Sequence, residues 1–159
     1  YHQFIRYYSD ILKYLNLSLT EKEIQAIADD RTNNMGNYIV YPYAKEVLKV
    51  LSHSYKLGII SDTWPSIERQ LCTIGVRDYF STSTYSCELG KFKPDEALYE
   101  DALRKSGCKP EETVFIDDSV RNLEGAAKLG ITPILIAANP VSDVESPYLK
   151  MHTLSELLI

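Results

Sequence analysis

The segment Val114-Phe115-Ile116-Asp117-Asp118-Ser119 gives the strongest indication of the fold. A short apolar run of the kind typical of a buried β-strand ends abruptly in two adjacent carboxylates. In open α/β folds ligands bind at the carboxyl ends of parallel strands, and paired carboxylates there are suited to Mg²⁺. The alternative interpretation is a strand followed by the acidic N-terminus of a helix, where Asp is favoured as a cap.

The chain on both sides of this stretch predicts further strands that alternate with helices. Strand-like runs are found at residues 56–60, 113–116 and 133–137. Helical patterns occupy the segments between and after these runs. One closes at Gly75, one opens at Pro94 and stops near Gly107, and residues 154–159 could form a terminal helix. Strands joined by helices through short connections predict an α/β fold, with a parallel sheet covered by helices on both faces.

The first forty residues have a different pattern, which predicts two antiparallel helices. Phe4, Tyr8, Ile11 and other apolar residues recur at helical spacing, and Thr20 and Glu23 form a capping-box signature for a second helix. We therefore place a boundary between a helical segment, residues 1–40, and an α/β core, residues 41–159.

Composition narrows the classes of function. The 159 residues are 45% hydrophobic with a formal net charge of -5, which argues against broad electrostatic binding to nucleic acid. No apolar run approaches the roughly 18 residues of a membrane span, so no membrane partner is expected. Three widely spaced cysteines and no visible signal-peptide pattern predict a reducing compartment and a cytoplasmic location.

Polar residues follow the predicted strands in a fixed order. Ser61-Asp62-Thr63 ends the first strand, Gly90-Lys91-Phe92-Lys93-Pro94-Asp95 lies between strands, and Asp117-Asp118-Ser119 ends a later one. Hydroxyl and backbone N–H groups bind phosphoryl oxygens, lysine offers a compact positive charge, and carboxylates hold Mg²⁺. The set predicts a site for a phosphoryl group and a metal ion.

These three segments resemble motifs II, III and IV of the haloacid dehalogenase-like hydrolase superfamily. The resemblance covers roughly residues 41–137, and the order and spacing of the motifs are far more specific than any one of them. It implies a Rossmann-like core, and it identifies residues 1–40 as part of a helical cap. The implied activity is that of a Mg²⁺-dependent phosphatase, which acts on a small phosphorylated metabolite through an aspartyl-phosphate.

The resemblance also implies roles for single residues. Ser61, with Asp62 and Thr63 lining the same turn, would bind the phosphoryl group, and Lys93 would balance charge on the nucleophile and phosphate. Asp118 would be a metal ligand. Asp117 would be either a second ligand or a hydrogen-bond acceptor behind the first.

Each assignment has a structural alternative. Ser61, Asp62 and Thr63 could instead cap the next helix. Lys91 is interpreted as a solvated loop charge. Asn122 stands where many family members have Asp, and it is interpreted as structural.

One family motif is absent from the chain. An Asp-x-Asp after a strand, which supplies the nucleophile in the family, is not found here, and the missing strand would be the central one of the sheet. We therefore expect a missing N-terminal segment, or a partner chain that completes the sheet, and expect this chain alone to be inactive. The alternative function is a non-catalytic binding or scaffold module, or an inactive homologue.

Overall fold

The computed structural model describes residues 2–139 and 143–158, which divide into two compact units. The first unit is Tyr1–Val40 and the second is Tyr41–Ile159. Within the described residues, no helix is long and apolar enough to cross a membrane.

The first unit consists of two helices and a short turn of 3₁₀ helix. Helix α1 spans His2–Tyr14, α2 spans Glu21–Asn33, and the 3₁₀ turn spans Met35–Asn37. The predicted capping box is confirmed: the Thr20 N–H donates to Glu23 Oε2 at 2.7 Å, and the Glu23 N–H donates to Thr20 Oγ1 at 3.3 Å. This exchange satisfies two backbone groups that the start of a helix otherwise leaves unpaired.

The second unit alternates helices and parallel strands, as the sequence predicts. Its helices and strands are, in chain order, α3 Ala44–Leu51, β1 Gly58–Ser61, α4 Ile67–Ile74, β2 Thr82–Tyr85, α5 Ser86–Leu89, α6 Glu96–Ser106, β3 Val114–Asp117, α7 Val120–Lys128, β4 Thr132–Ile136 and β5 Leu149–Met151. Short 3₁₀ turns cover Arg77–Tyr79, Pro110–Glu112 and Leu154–Leu157. The α/β class is confirmed.

The strands form two parallel sheets. Strand β1 pairs with β2, with Ile60 opposite Thr84, and β3, β4 and β5 pair in that order, with Ile116 opposite Ile134. Within the described residues neither β1 nor β3 has a hydrogen-bonded neighbour on its other edge. Ile59 and Ile60 are consequently only half-buried, although apolar strands of a parallel sheet are normally covered on both faces.

The main hydrophobic core lies between α6, α7 and strands β3 and β4. Its fully buried centre includes Tyr99, Leu123 and Leu135, and the rings of Tyr99 and Phe115 meet edge to face at 5.3 Å between centroids. Ile60 of β1 packs against the same cluster. Side-chain packing therefore connects the two sheets where backbone pairing does not.

Two local predictions need correction, and one strand was not predicted. Helix α6 begins at Glu96 after the cap residue Asp95, whose carboxylate accepts from the Ala97 N–H, and does not begin at Pro94. The predicted terminal helix at 154–159 is a 3₁₀ turn at Leu154–Leu157, and residue 159 lies outside the described residues. Strand β5, three residues long, carried no sequence pattern distinct enough to predict it.

Candidate active site

The carboxyl ends of β1 and β3 hold the polar residues that the sequence singles out. Ser61 is the last residue of β1, and Asp117 is the last residue of β3. Both strands are half-buried or buried over their final residues, so each places its terminal polar residue at the edge of an apolar layer. This is the sheet edge at which open α/β folds bind ligands.

A buried ion pair joins two of the predicted site residues. Lys93 Nζ lies 2.7 Å from Asp117 Oδ2, and the side chains are only 12% and 7% exposed. The ammonium also lies 5.8 Å from the centre of the Phe115 ring. Breaking such a pair is costly because a charge is left behind in a poorly solvated place.

The second oxygen of Asp117 is also engaged. Asp117 Oδ1 accepts from the Ser119 N–H and from Asn122 Nδ2, each at 2.9 Å. With three donors around it, this carboxylate is held in one orientation and is occupied by protein groups. Asn122 therefore contacts a predicted site residue.

Asp118 has the opposite character to its neighbour. Its side chain is exposed and makes no hydrogen bond or ion pair within the described residues. Asp117 and Asp118 line a cavity of about 260 Å³ at the carboxyl ends of β3 and β4, together with Tyr41 and Asn139 among others. Of the adjacent carboxylates, Asp118 is the one that can accept a cation without losing a protein partner.

A metal ion would need more ligands than these residues supply. Within residues 2–139 and 143–158 no group of three or more His, Cys, Asp or Glu side chains lies close enough to hold one. The donor chemistry fits Mg²⁺, which takes one or two protein carboxylates and fills its other positions with water and substrate oxygens. Asp118 is the group suited to bind it directly, with Asp117 behind.

The loop after β1 is tied to two other parts of the chain. Asp62 Oδ1 accepts from the Lys93 N–H at 3.0 Å, and the Thr63 N–H donates to Ser86 Oγ at 2.8 Å. The Ser61 hydroxyl makes no side-chain hydrogen bond within the described residues, so it is available to a ligand. The helix-capping alternative for this segment gains no support, because the cap residue of α4 is Ser66.

Two residues near the site were not found from the sequence. The buried hydroxyl of Ser86 holds the β1 loop, and Tyr99 donates its hydroxyl to the Asn122 carbonyl at 2.8 Å. Burial, with the nearby charges of Asp117 and Asp62, raises the pKa of Tyr99, which therefore stays a neutral donor. Ser86 follows a run of Ser and Thr residues with no distinguishing pattern, whereas Tyr99 has the helical spacing of any core residue.

Lys91 makes an informative contrast with Lys93. Its ammonium lies 3.0 Å from Asp95 Oδ2, but its side chain is 56% exposed. It is the solvated charge that the sequence predicts, and it lies only two positions from the buried lysine.

Comparison with known proteins shows the family of the chain. A family model described as haloacid dehalogenase-like hydrolase matches residues 5–136. The chain belongs to this family. It is 28% identical over 119 residues to the glyceraldehyde 3-phosphate phosphatase of Methanothermobacter thermautotrophicus, a match that covers 71% of this chain and 50% of that protein.

Solved structures of the family have the same fold. A HAD phosphatase from Thermococcus onnurineus superposes with a TM-score of 0.75 at 25% identity, covering 94% of this chain and 67% of that one. A 2-haloacid dehalogenase from Pseudomonas syringae gives a TM-score of 0.68 at 25% identity, covering 89% and 63%. The chain spans about half the length of the curated relatives that it matches.

Proposed function

We propose that this chain contributes the phosphate-facing and metal-facing residues of a phosphatase that acts on a small phosphorylated metabolite. The observation that carries the proposal is the buried Lys93–Asp117 pair next to Asp118, whose carboxylate has no partner among the residues that the structure describes. A fixed positive charge beside a free acidic group suits a phosphoryl group bridged to Mg²⁺. The likeness to proteins named as phosphatases supports the same reading.

Each side chain has a definite task in this proposal. The Ser61 hydroxyl donates to a phosphoryl oxygen. One N–H of the Lys93 ammonium donates a hydrogen bond to Asp117, and the other two can donate to the nucleophile and to the phosphate. Asp118 binds the metal ion, which when present neutralises charge on the transferring group. Asp117 holds Lys93 and does not need to contact the substrate.

The nucleophile is proposed to come from a strand that lies between β1 and β3. These edges, whose half-buried residues include Ile59 and Ile116, have no hydrogen-bonded neighbour within the described residues. A parallel strand carrying Asp-x-Asp, from a segment before Tyr1 or from a partner chain, would pair with both edges. Its aspartate would form the aspartyl-phosphate that water then cleaves.

The cysteines bear on the location of the protein in the cell. The three cysteines are free, which supports a reducing, cytoplasmic location. We propose no nucleic-acid or membrane partner. Cap and loop residues, not the fold, would choose among phosphorylated metabolites.

The experiment that tests the proposal is a turnover assay on protein whose intact mass has been measured. Hydrolysis of p-nitrophenyl phosphate is followed with Mg²⁺ and with excess chelator, in wild type, Asp118→Asn and Ser61→Ala, with Lys91→Ala as the matched surface control. We expect no turnover from the 18.1 kDa chain alone. Protein that also carries an Asp-x-Asp strand should show Mg²⁺-dependent turnover, which falls by about 10²-fold or more in Asp118→Asn and is unchanged in the control.

Two other outcomes would replace the proposal. Chloride release from a 2-chloro acid without Mg²⁺ would favour a dehalogenase activity. One of the similar solved structures is named as a 2-haloacid dehalogenase. No turnover by protein that carries an Asp-x-Asp strand would favour a non-catalytic module. A mass near 18.1 kDa without turnover is the result expected of the chain alone, and it would direct the search to a partner that completes the sheet.

A further inference from the structure

We infer that Asp62 is a positioning residue, which anchors the backbone of Lys93 while Ser86 braces the turn that carries Asp62. The inference rests on the proposed function of Lys93, but its contacts can be tested without turnover. It differs from the direct substrate contact that the family resemblance implies for Asp62.

The contact of Asp62 is with protein backbone. Its Oδ1 accepts from the Lys93 N–H at 3.0 Å, across 31 residues of sequence. The side chain is exposed, and an ionised carboxylate facing a phosphate would repel it at close range. A charged acceptor strengthens a hydrogen bond to a backbone N–H, which makes the carboxylate a good anchor and a poor phosphate ligand.

Ser86 makes the turn itself rigid. Ser86 is only 2% exposed. Its hydroxyl accepts from the Thr63 N–H at 2.8 Å and donates to the Thr63 carbonyl at 3.3 Å. One hydroxyl thus satisfies both polar groups of a single peptide residue, as only a group that is both donor and acceptor can. The residue directly after Asp62 is therefore fixed to the start of α5.

The position of the Lys93 ammonium depends on contacts at both ends of the residue. Lysine has a long flexible stem, so the place of its ammonium depends on where its backbone is held. Lys93 is held at its N–H by the β1 loop and at its Nζ by Asp117 on β3, so it spans the two sheets. Loss of the backbone anchor lets Lys93 shift away from the position in which it faces both Asp117 and a phosphate.

The test compares two substitutions at position 62. Asp62→Asn keeps a carbonyl oxygen that accepts from the Lys93 N–H, whereas Asp62→Ala removes the acceptor. Amide hydrogen exchange at Lys93, read by NMR on the full chain, should be roughly tenfold faster in the Ala variant, the ratio that ~1.4 kcal/mol represents, and under about threefold faster in the Asn variant. Lys91→Ala, at an exposed ion pair, serves as the control and should leave exchange at Lys93 unchanged.

Turnover and a second variant complete the test. In active protein kcat for p-nitrophenyl phosphate should fall about tenfold in Asp62→Ala, with KM little changed and most of kcat restored by Asn. Ser86→Ala should speed exchange at Thr63 as well as at Lys93. Unchanged Lys93 exchange in Asp62→Ala would overturn the inference. The inference would also be overturned if Asp62→Asn lowered kcat as much as Asp62→Ala and raised KM, because that result indicates direct contact between Asp62 and the substrate. Because exchange is measured without substrate, absent turnover would count against the proposed function alone.

Discussion

Replacement of Lys93 by Met should destabilise the protein far more than the same replacement at Lys91. Lys93 and Asp117 are 12% and 7% exposed and 2.7 Å apart, so Lys93→Met leaves a buried carboxylate without its counter-charge. Removing one partner of a buried pair typically costs about 3–5 kcal/mol. Because Asp117 keeps two hydrogen-bond donors, Ser119 N and Asn122 Nδ2, we expect the lower end, about 3 kcal/mol.

A double-mutant cycle separates the pair from the packing of the lysine stem. Asp117→Asn should cost about 2 kcal/mol alone, and the double variant should be about 2 kcal/mol more stable than the sum of the single changes predicts, since neither charge is then left unpaired. Lys91→Met, at a side chain that is 56% exposed, should cost under about 1 kcal/mol.

Urea unfolding at pH 7, followed by far-UV circular dichroism, measures these differences. With a slope of about 2 kcal/mol per molar urea, Lys93→Met should lower the midpoint by about 1.5 M and Lys91→Met by under about 0.5 M. Equal shifts for the two lysines, or single effects that add within about 0.5 kcal/mol, would refute the argument that burial makes this ion pair important.

Substitutions at three further positions test other parts of the second unit. Gly125→Ala would put a Cβ 2.7 Å from Pro94 Cβ and 2.9 Å from the Pro94 carbonyl oxygen, so we expect the free energy of unfolding to fall by about 1–3 kcal/mol. An unchanged midpoint in urea unfolding would contradict this close approach. Burial disfavours ionised Asp101, but hydrogen bonds from Lys105, Thr84 and Arg104 outweigh this and hold its pKa below the usual value of an aspartate. Ionised Asp101 therefore stabilises the fold above the pKa of an unfolded aspartate, and this stabilisation is lost as the pH falls through the lower pKa of the folded state. Asp101→Asn should therefore flatten the acid limb of a stability-against-pH curve, and parallel curves for variant and wild type would count against this. Tyr43 has φ 62° and is 71% exposed, so Tyr43→Gly should raise the free energy of unfolding by about 0.5–1 kcal/mol, whereas Tyr43→Ala should not. Equal effects of the two substitutions in urea unfolding would exclude backbone strain at this residue.

The order of helices and strands in the second unit could be read from the sequence. Gly75 ends α4 with φ 72°, and Thr20 and Glu23 begin α2, because each signal acts through bonds within one turn of the chain. The end of α6 near Gly107 was predicted for the same reason. Its start was misplaced by two residues, because the cap is made by the Asp95 side chain and not by the ring of Pro94.

The division into two sheets was only partly predictable. The absent Asp-x-Asp strand indicated that buried edges would be left, but which strands carry those edges depends on pairing between distant segments. The tertiary structure identifies them as β1 and β3, and shows that Tyr99, Phe115 and Ile60 still pack together.

The family, the α/β class and the set of polar residues at the strand ends could all be inferred from the sequence, since these depend on local spacing and on the order of motifs. How those residues differ in burial and contacts depends on tertiary structure. Asp117 and Asp118 are adjacent and chemically identical, yet Asp117 is buried against Lys93 and Asp118 faces solvent. Neighbouring residues at a strand end point in different directions, and the partner that distinguishes them lies 24 residues away in sequence, where local pattern carries no information about contact.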